Sequence, residues 1–197
     1  MKLDLVHDTQ QAYRKLLRCM SRPGVIESIE VQSEKIDFDI SFYKGTLVNM
    51  FVLLDGEVTF NIVSKNKEEV TKFVNQLTYA RATTLEEADF IFILKDAVEN
   101  SLGDAIKRSK PGTLIDPHTF ATIIVEGEKL SYEKNYTLKG PGIEDICYVN
   151  ITTKGSFVEE RDNKNIEYPL GVDTVFIDRE HQIMCVPRTT TLTRMVN

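Results

Sequence analysis

The sequence predicts an α/β fold: one three-layer domain over residues 1–197, built around a mixed β-sheet. Three observations point there. Strand-like segments alternate with segments of helical period, the pattern of helices laid on the faces of a sheet. DFIFIL (89–94) is a short unbroken apolar run, as an interior strand covered on both faces requires. Hairpin-like pairs occupy the C-terminal third, which makes the sheet mixed rather than purely parallel. No repeat, low-complexity tract or linker divides the chain.

The elements follow in order. TQQAYRKLLRCM (9–20) sets Ala12, Tyr13, Leu16, Leu17 and Met20 on one side of a helix and Gln11, Arg14, Lys15 and Arg18 on the other. Asp8 or Thr9 suits its N-cap, and Pro23 in SRPG (21–24) ends it. VIESIEV (25–31) alternates as a half-buried strand. TLVNMFVLLD (46–55) is apolar almost throughout, and its Leu and Met content favours a buried helix. EVTFNIV (57–63) reads as a strand, and Lys67 to Arg81 as a helix carrying Val70, Phe73, Val74, Leu77 and Ala80 at helical spacing. Val98 to Arg108 predicts a short helix before the Lys110-Pro111-Gly112 turn. TLID (113–116) and FATIIVEG (120–127) predict two strands, and KLSYEKNYTLKG (129–140) further sheet. VDTVFID and QIMCVP predict an antiparallel pair joined at DREH, with Pro187 closing the second strand by withholding an N–H.

Composition excludes several function classes. A net charge of −6 argues against a surface dedicated to nucleic acid. Lys107, Arg108 and Lys110 cluster, but a solvated helix end accounts for them. No apolar run approaches the ~20 residues that cross a bilayer. MKLDLVHD lacks the apolar core of a signal peptide, so the expectation is a cytoplasmic protein with no membrane partner. Cys19, Cys147 and Cys185 are far apart and flanked by apolar residues, the setting of buried reduced thiols.

Chemical motifs are sparse. The chain has no phosphate-binding G-x-x-x-x-G-K-[ST] loop, no G-x-G-x-x-G, no H-E-x-x-H and no G-x-S-x-G. His7, His118 and His181 have no ligand partner at metal spacing, so no metal site is expected. Three stretches stand out. SRPG offers Arg22 beside a rigid turn. LKGPGIED (138–145) sets Gly140 and Gly142 around Pro141, where backbone N–H groups can bind an anion or where the glycines merely supply positive φ. PRTT (187–190) offers Arg188, either for a forked contact to phosphate or for a salt bridge to an acid such as Asp173. Thr189 and Thr190 suit a helix cap or an oxyanion donor. The ligand-binding candidates are therefore Arg22, Gly140, Gly142, Arg188 and Thr189; no catalytic residue emerges.

Taken together, TQQAYRKLLRCMSRPG, LLDGEVTF, EADF, LKGPGI and YPLGVDTVFID…VPRTT resemble, in order and spacing, the PhnH family, the H subunits of the bacterial carbon–phosphorus lyase system. The resemblance runs from about Thr9 to Thr190. Tyr13 and Tyr168 stand where many relatives carry Phe, and residues 152–165 match nothing sharp. The resemblance implies a fold similar to that of pyridoxal-phosphate-dependent transferases, without that cofactor, and a homodimer. It implies assembly with PhnG, PhnI and PhnJ into the complex that couples a phosphonate such as methylphosphonate to ribose C1 of ATP. Adenine is displaced, and ribose 1-methylphosphonate 5-triphosphate passes on towards carbon–phosphorus cleavage, under phosphate starvation. It carries no catalytic residue onto this chain, which fits a structural or regulatory subunit. The alternatives are a stand-alone nucleotide- or phosphonate-binding protein and a phosphate-ester enzyme.

Overall fold

A computed structural model describes residues 2–195. In chain order the elements are α1 (His7–Ser21), β1 (Glu27–Ser28), α2 (Glu30–Glu34), α3 (Lys44–Leu53), β2 (Thr59–Val63), α4 (Lys67–Thr78), β3 (Arg81–Ala82) and β4 (Phe90–Ile93). There follow α5 (Ser101–Arg108), β5 (Thr122–Glu126), β6 (Lys129–Lys139), β7 (Cys147–Thr152), α6 (Val158–Lys164), β8 (Asp173–Ile177), β9 (Gln182–Val186) and β10 (Thr191–Arg194). Seven strands form the central sheet in the order β1-β9-β8-β5-β4-β2-β3, and β10-β6-β7 form a second, antiparallel one. In the central sheet β3, β2, β4, β5 and β8 run parallel, whereas β9 runs antiparallel to both its neighbours, β8 and β1. The mixed sheet is as the sequence predicts.

Alternation along each strand divides the core into two layers. Phe92, Ile124, Val175, Ile177, Ile183 and Cys185 face α1, α3 and α4. Their neighbours Ile91, Ile93, Ile123, Phe176, Met184 and Val186 face α5, α6 and the second sheet. Every interior strand is thus wetted on neither face, which is why DFIFIL and TIIVE read as unbroken apolar runs. Helix α3 is apolar all round for the same reason: it is packed between the sheet and α1, α2 and α4.

Several segments depart from the sequence prediction. The N-cap of α1 is Val6 rather than Asp8 or Thr9. The first turn is held instead by Asp4, whose Oδ1 accepts the N–H groups of Val6 (2.8 Å) and His7 (3.0 Å). Asp8 is buried and paired with Lys35 at 2.6 Å. The buried stripe of α1 is Asp8, Ala12, Leu16 and Cys19, which leaves Tyr13 and Leu17 exposed. Only Glu27 and Ser28 of VIESIEV pair as strand. Ile29 N–H then donates to the His181 carbonyl (2.9 Å), and the chain turns into α2. TLID forms no strand: Thr113 N–H donates to Asp116 O (3.2 Å) and the tight loop pushes Leu114 and Ile115 outward. The unmatched stretch 152–165 holds α6, and Thr189 and Thr190 precede strand β10 instead of capping a helix. Lys107 and Arg108 do end α5, with Arg108 on Glu86 and Asp104 and Lys110 on Asp89. All three cysteines are free, and Cys147 is only half-buried.

Candidate functional site

The three turns singled out in the sequence meet at one corner of the molecule. The segment 140–143 closes on itself through Ile143 N–H to Gly140 O (3.2 Å). A Cβ at Gly142 (φ 83°) would collide with Ser21 O and sit 3.0 Å from Pro23 Cδ. A Cβ at Gly140 (φ 142°) would lie 2.7 Å from Thr189 O. The GPGI turn is therefore wedged between SRPG on one side and PRTT on the other. Both glycines are explained by close backbone approach and left-handed φ without any ligand.

Behind this corner Arg161 of α6 is buried, 1 % exposed. Its guanidinium donates to the carbonyl oxygens of Pro187 (2.6 Å), Thr190 (2.9 Å) and Val186 (3.4 Å). It pins the end of β9 to the start of β10. Burial pulls its pKa down to about 10, against the nearby Asp162 and Asp173 carboxylates. Arg161 Nε and the buried Thr190 hydroxyl have no hydrogen-bond partner. Both residues line a cleft of about 570 Å³ with Pro141, Asn165, Arg188 and Thr189. Asn165 fixes its rim, accepting Val172 N–H at 2.8 Å and donating to Val172 O at 3.3 Å.

Arg188 meets Asp173, but not through a salt bridge. Its backbone N–H donates to Asp173 Oδ1 (2.7 Å), while the guanidinium lies 3.9 Å from the Phe120 ring centre and donates to Pro117 O (3.0 Å). Burial raises the Asp173 carboxyl above its usual range despite the amide and the two arginines nearby. Arg22 is exposed, and its backbone closes α1 by donating to Arg18 O. Of the predicted residues, Arg188 and Thr189 line the cleft and Gly140 abuts Thr189, whereas Gly142 packs against Ser21 and Pro23 on either side of Arg22, and neither Gly142 nor Arg22 lines the cleft. No nucleophile, base and oxyanion donor converge here. Among the described residues no group of His, Cys, Asp and Glu suits a metal.

A second cleft of about 570 Å³ opens at the opposite, carboxyl end of the parallel strands. At its floor lies Glu126, the last residue of β5 and 8 % exposed. Its Oε1 accepts Tyr43 N–H (2.6 Å) and the Thr46 hydroxyl (2.6 Å), and its Oε2 accepts Lys95 N–H (2.8 Å). A carboxylate thus satisfies donors at the N-terminus of α3, where the helix dipole favours negative charge. Burial nevertheless raises the Glu126 pKa, because these donors only partly replace water. Lys95, Lys154 and Arg179 stand around it.

The sequence reading missed Arg161 and Glu126. Arg161 lies in VEERDNK, where every residue after Val158 is polar and nothing distinguishes it. Glu126 left a fainter trace, a charge ending the apolar run TIIVE.

Comparison with known proteins adds a separate line of evidence. A family model described as bacterial phosphonate metabolism protein (PhnH) matches residues 3–193. Subunit PhnH of alpha-D-ribose 1-methylphosphonate 5-triphosphate synthase from Rhizobium meliloti (strain 1021) is 27% identical over 195 residues, covering 97% of this chain and 93% of the relative. The putative C-P lyase subunit protein HtxG of Stutzerimonas stutzeri is 30% identical over 112 residues, 56% of this chain and 53% of its own length.

Proposed function

Because the chain belongs to the PhnH family of bacterial phosphonate metabolism proteins, we propose that it is a subunit of a carbon–phosphorus lyase assembly in phosphonate catabolism. In this reading it works with PhnG, PhnI and PhnJ as a cytoplasmic homodimer. The assembly joins methylphosphonate, or another phosphonate, to ribose C1 of ATP and releases adenine. The chain acts as one domain of the pyridoxal-phosphate-transferase type without the cofactor, and its role is structural or regulatory. The observation that carries this is the extent of the family match, residues 3–193. The interlock of SRPG, GPGI and PRTT supports a scaffolding role, since those turns hold one another by backbone approach instead of framing reactive groups.

The test is co-expression of the tagged chain with the three partner subunits. Co-elution is expected, together with loss of adenine release from ATP and methylphosphonate when this chain is left out. Elution as a free species, with full activity in its absence, would refute the reading.

One observation favours a second reading, in which the chain binds a nucleotide or phosphonate through Arg22, Gly140, Gly142, Arg188 and Thr189. Arg188 and Thr189 do line the cleft above the buried Arg161. Against it, the Arg188 guanidinium already holds Phe120 and Pro117. Arg188→Ala separates the two: intact folding with lost complex activity favours binding, whereas lost stability favours scaffolding.

A further inference from the structure

The cleft at the carboxyl end of the parallel strands is built from four separate segments. Tyr43 precedes α3, Lys95 follows β4, Lys154 follows β7, and Arg179 lies in the turn between β8 and β9. In open α/β sheets ligands bind outside the carboxyl ends of strands, where successive connections leave in opposite directions. That divergence is present here. The helix after β2, α4, packs in one core layer, and the helix after β4, α5, packs in the other. Lys95 sits where the chain leaves β4.

The cations in this cleft are under-neutralised. Among the described residues Lys95 and Lys154 form no salt bridge. The Lys95 ammonium lies 5.0 Å from the centre of the Tyr43 ring. The Lys154 ammonium donates to the carbonyl oxygens of Lys95 and Ala97, which leaves one of its three N–H groups. Arg179 pairs with Glu128 at 3.3 Å, but both are more than half exposed, and such a pair gives way readily to a better anion. Tyr43 lines the same cleft as Arg179, and burial raises its hydroxyl pKa above the usual value. Three cations, Lys95, Lys154 and Arg179, thus face two carboxylates, Glu126 and Glu128, and Glu126 accepts from three donors, two of them the backbone N–H groups of Tyr43 and Lys95. The carboxylate therefore braces both walls of the cleft. The Thr153 hydroxyl, also in the lining, is buried and without a partner. In a chain of net charge −6 such a convergence of cations does not follow from composition.

We propose that this cleft binds a phosphoryl or phosphonyl dianion, with Lys95, Lys154 and Arg179 supplying the charge, the Tyr43 hydroxyl a directed donor, and Glu126 the positioning. The inference does not depend on the subunit reading above, because its test uses the isolated chain.

The isolated full chain is titrated calorimetrically with inorganic phosphate, methylphosphonate and magnesium-free ATP. Saturable binding of at least one probe with Kd on the order of 1 mM or tighter is expected. Tightest binding of methylphosphonate identifies a phosphonate as the source, tightest binding of ATP a nucleotide, and equal binding of all three the dianion alone. Lys95→Gln with Arg179→Gln weakens binding by about tenfold or more, while Glu128→Gln frees Arg179 and tightens it by roughly two- to fivefold. Arg188→Gln, at the opposite end of the sheet, leaves it unchanged. Circular dichroism and melting temperature establish that each variant is folded, and the gain expected from Glu128→Gln cannot arise from misfolding. No saturable heat with any probe up to about 10 mM, or loss of binding in Arg188→Gln but not in the Lys95/Arg179 variant, overturns the proposal.

Discussion

At the amino end of the parallel strands a cation, Arg161, is buried beneath the turns that join β9 to β10, and backbone oxygens hold it. At the carboxyl end an anion, Glu126, is buried beneath the start of α3, and backbone N–H groups hold it. The two arrangements are chemical mirror images, yet their surroundings differ. Around Arg161 the remaining cation, Arg188, is committed to a carbonyl and an aromatic ring. Around Glu126 the cations Lys95 and Lys154 form no salt bridge among the described residues. Beyond Arg161 the corner cleft is lined by a single cation, Arg188, whereas the Glu126 cleft is lined by three, Lys95, Lys154 and Arg179. The same local device therefore serves two ends that do different work.

Substitutions can break this contrast, and the largest effect belongs to the corner. Gly142→Ala forces a Cβ onto Ser21 O in a left-handed backbone. It is expected to cost about 3–4 kcal/mol in urea denaturation. Arg161→Met leaves three carbonyl oxygens without their charged donor, a loss of about 3 kcal/mol, and Arg161→Lys does not restore it because an ammonium lacks the fork. Glu126→Gln replaces an all-acceptor carboxylate with an amide that turns a donor towards either Lys95 N–H or Tyr43 N–H. About 2 kcal/mol is expected, with the anion cleft weakened at the same time. Arg188→Ala removes one hydrogen bond and one ring contact, about 1 kcal/mol, and leaves the anion cleft intact.

The smallest effect is a pH dependence at the carboxyl end. His181 Nδ1 accepts Gly45 N–H at 3.3 Å, and burial lowers the His181 pKa below 6.5, aided by Lys44 and opposed by Asp178 and Glu30. The unfolded chain then takes up the proton more readily than the folded one. Stability is full above the unfolded value and falls as pH drops through it towards the folded value. His181→Asn keeps a residue suited to the left-handed backbone at φ 59°. Its urea midpoint is expected to fall less than that of the unaltered protein between pH 8 and pH 5.5.

What the sequence could disclose follows from these contrasts. Strands β4 and β5 were legible because burial on both faces writes itself into consecutive residues, and β8 from the alternation in VDTVFID. Helix α3 was legible from the same absence of a polar face. Residues 29–31 and 113–116 were misread: the first because Ile29 N–H is held by the distant His181 O, the second because a tight loop closes on Asp116. The corner was half legible. Its glycines and prolines announced a special backbone, but the reason, mutual wedging, appears only when residues 21, 142 and 189 are brought together. Arg161 and Glu126 were opaque because a charge in a polar helix, or at a strand end, usually faces water. Nothing local marks the two that do not.

Amide hydrogen exchange of the isolated chain, with and without saturating methylphosphonate, tests the division between the two ends most directly. Slowed exchange at residues 43–46, 95–97 and 153–154, with 140–143 and 188–190 unchanged, is the predicted result. Slowed exchange at 140–143 and 188–190, with the first set unchanged, would contradict it by moving the binding site to the corner.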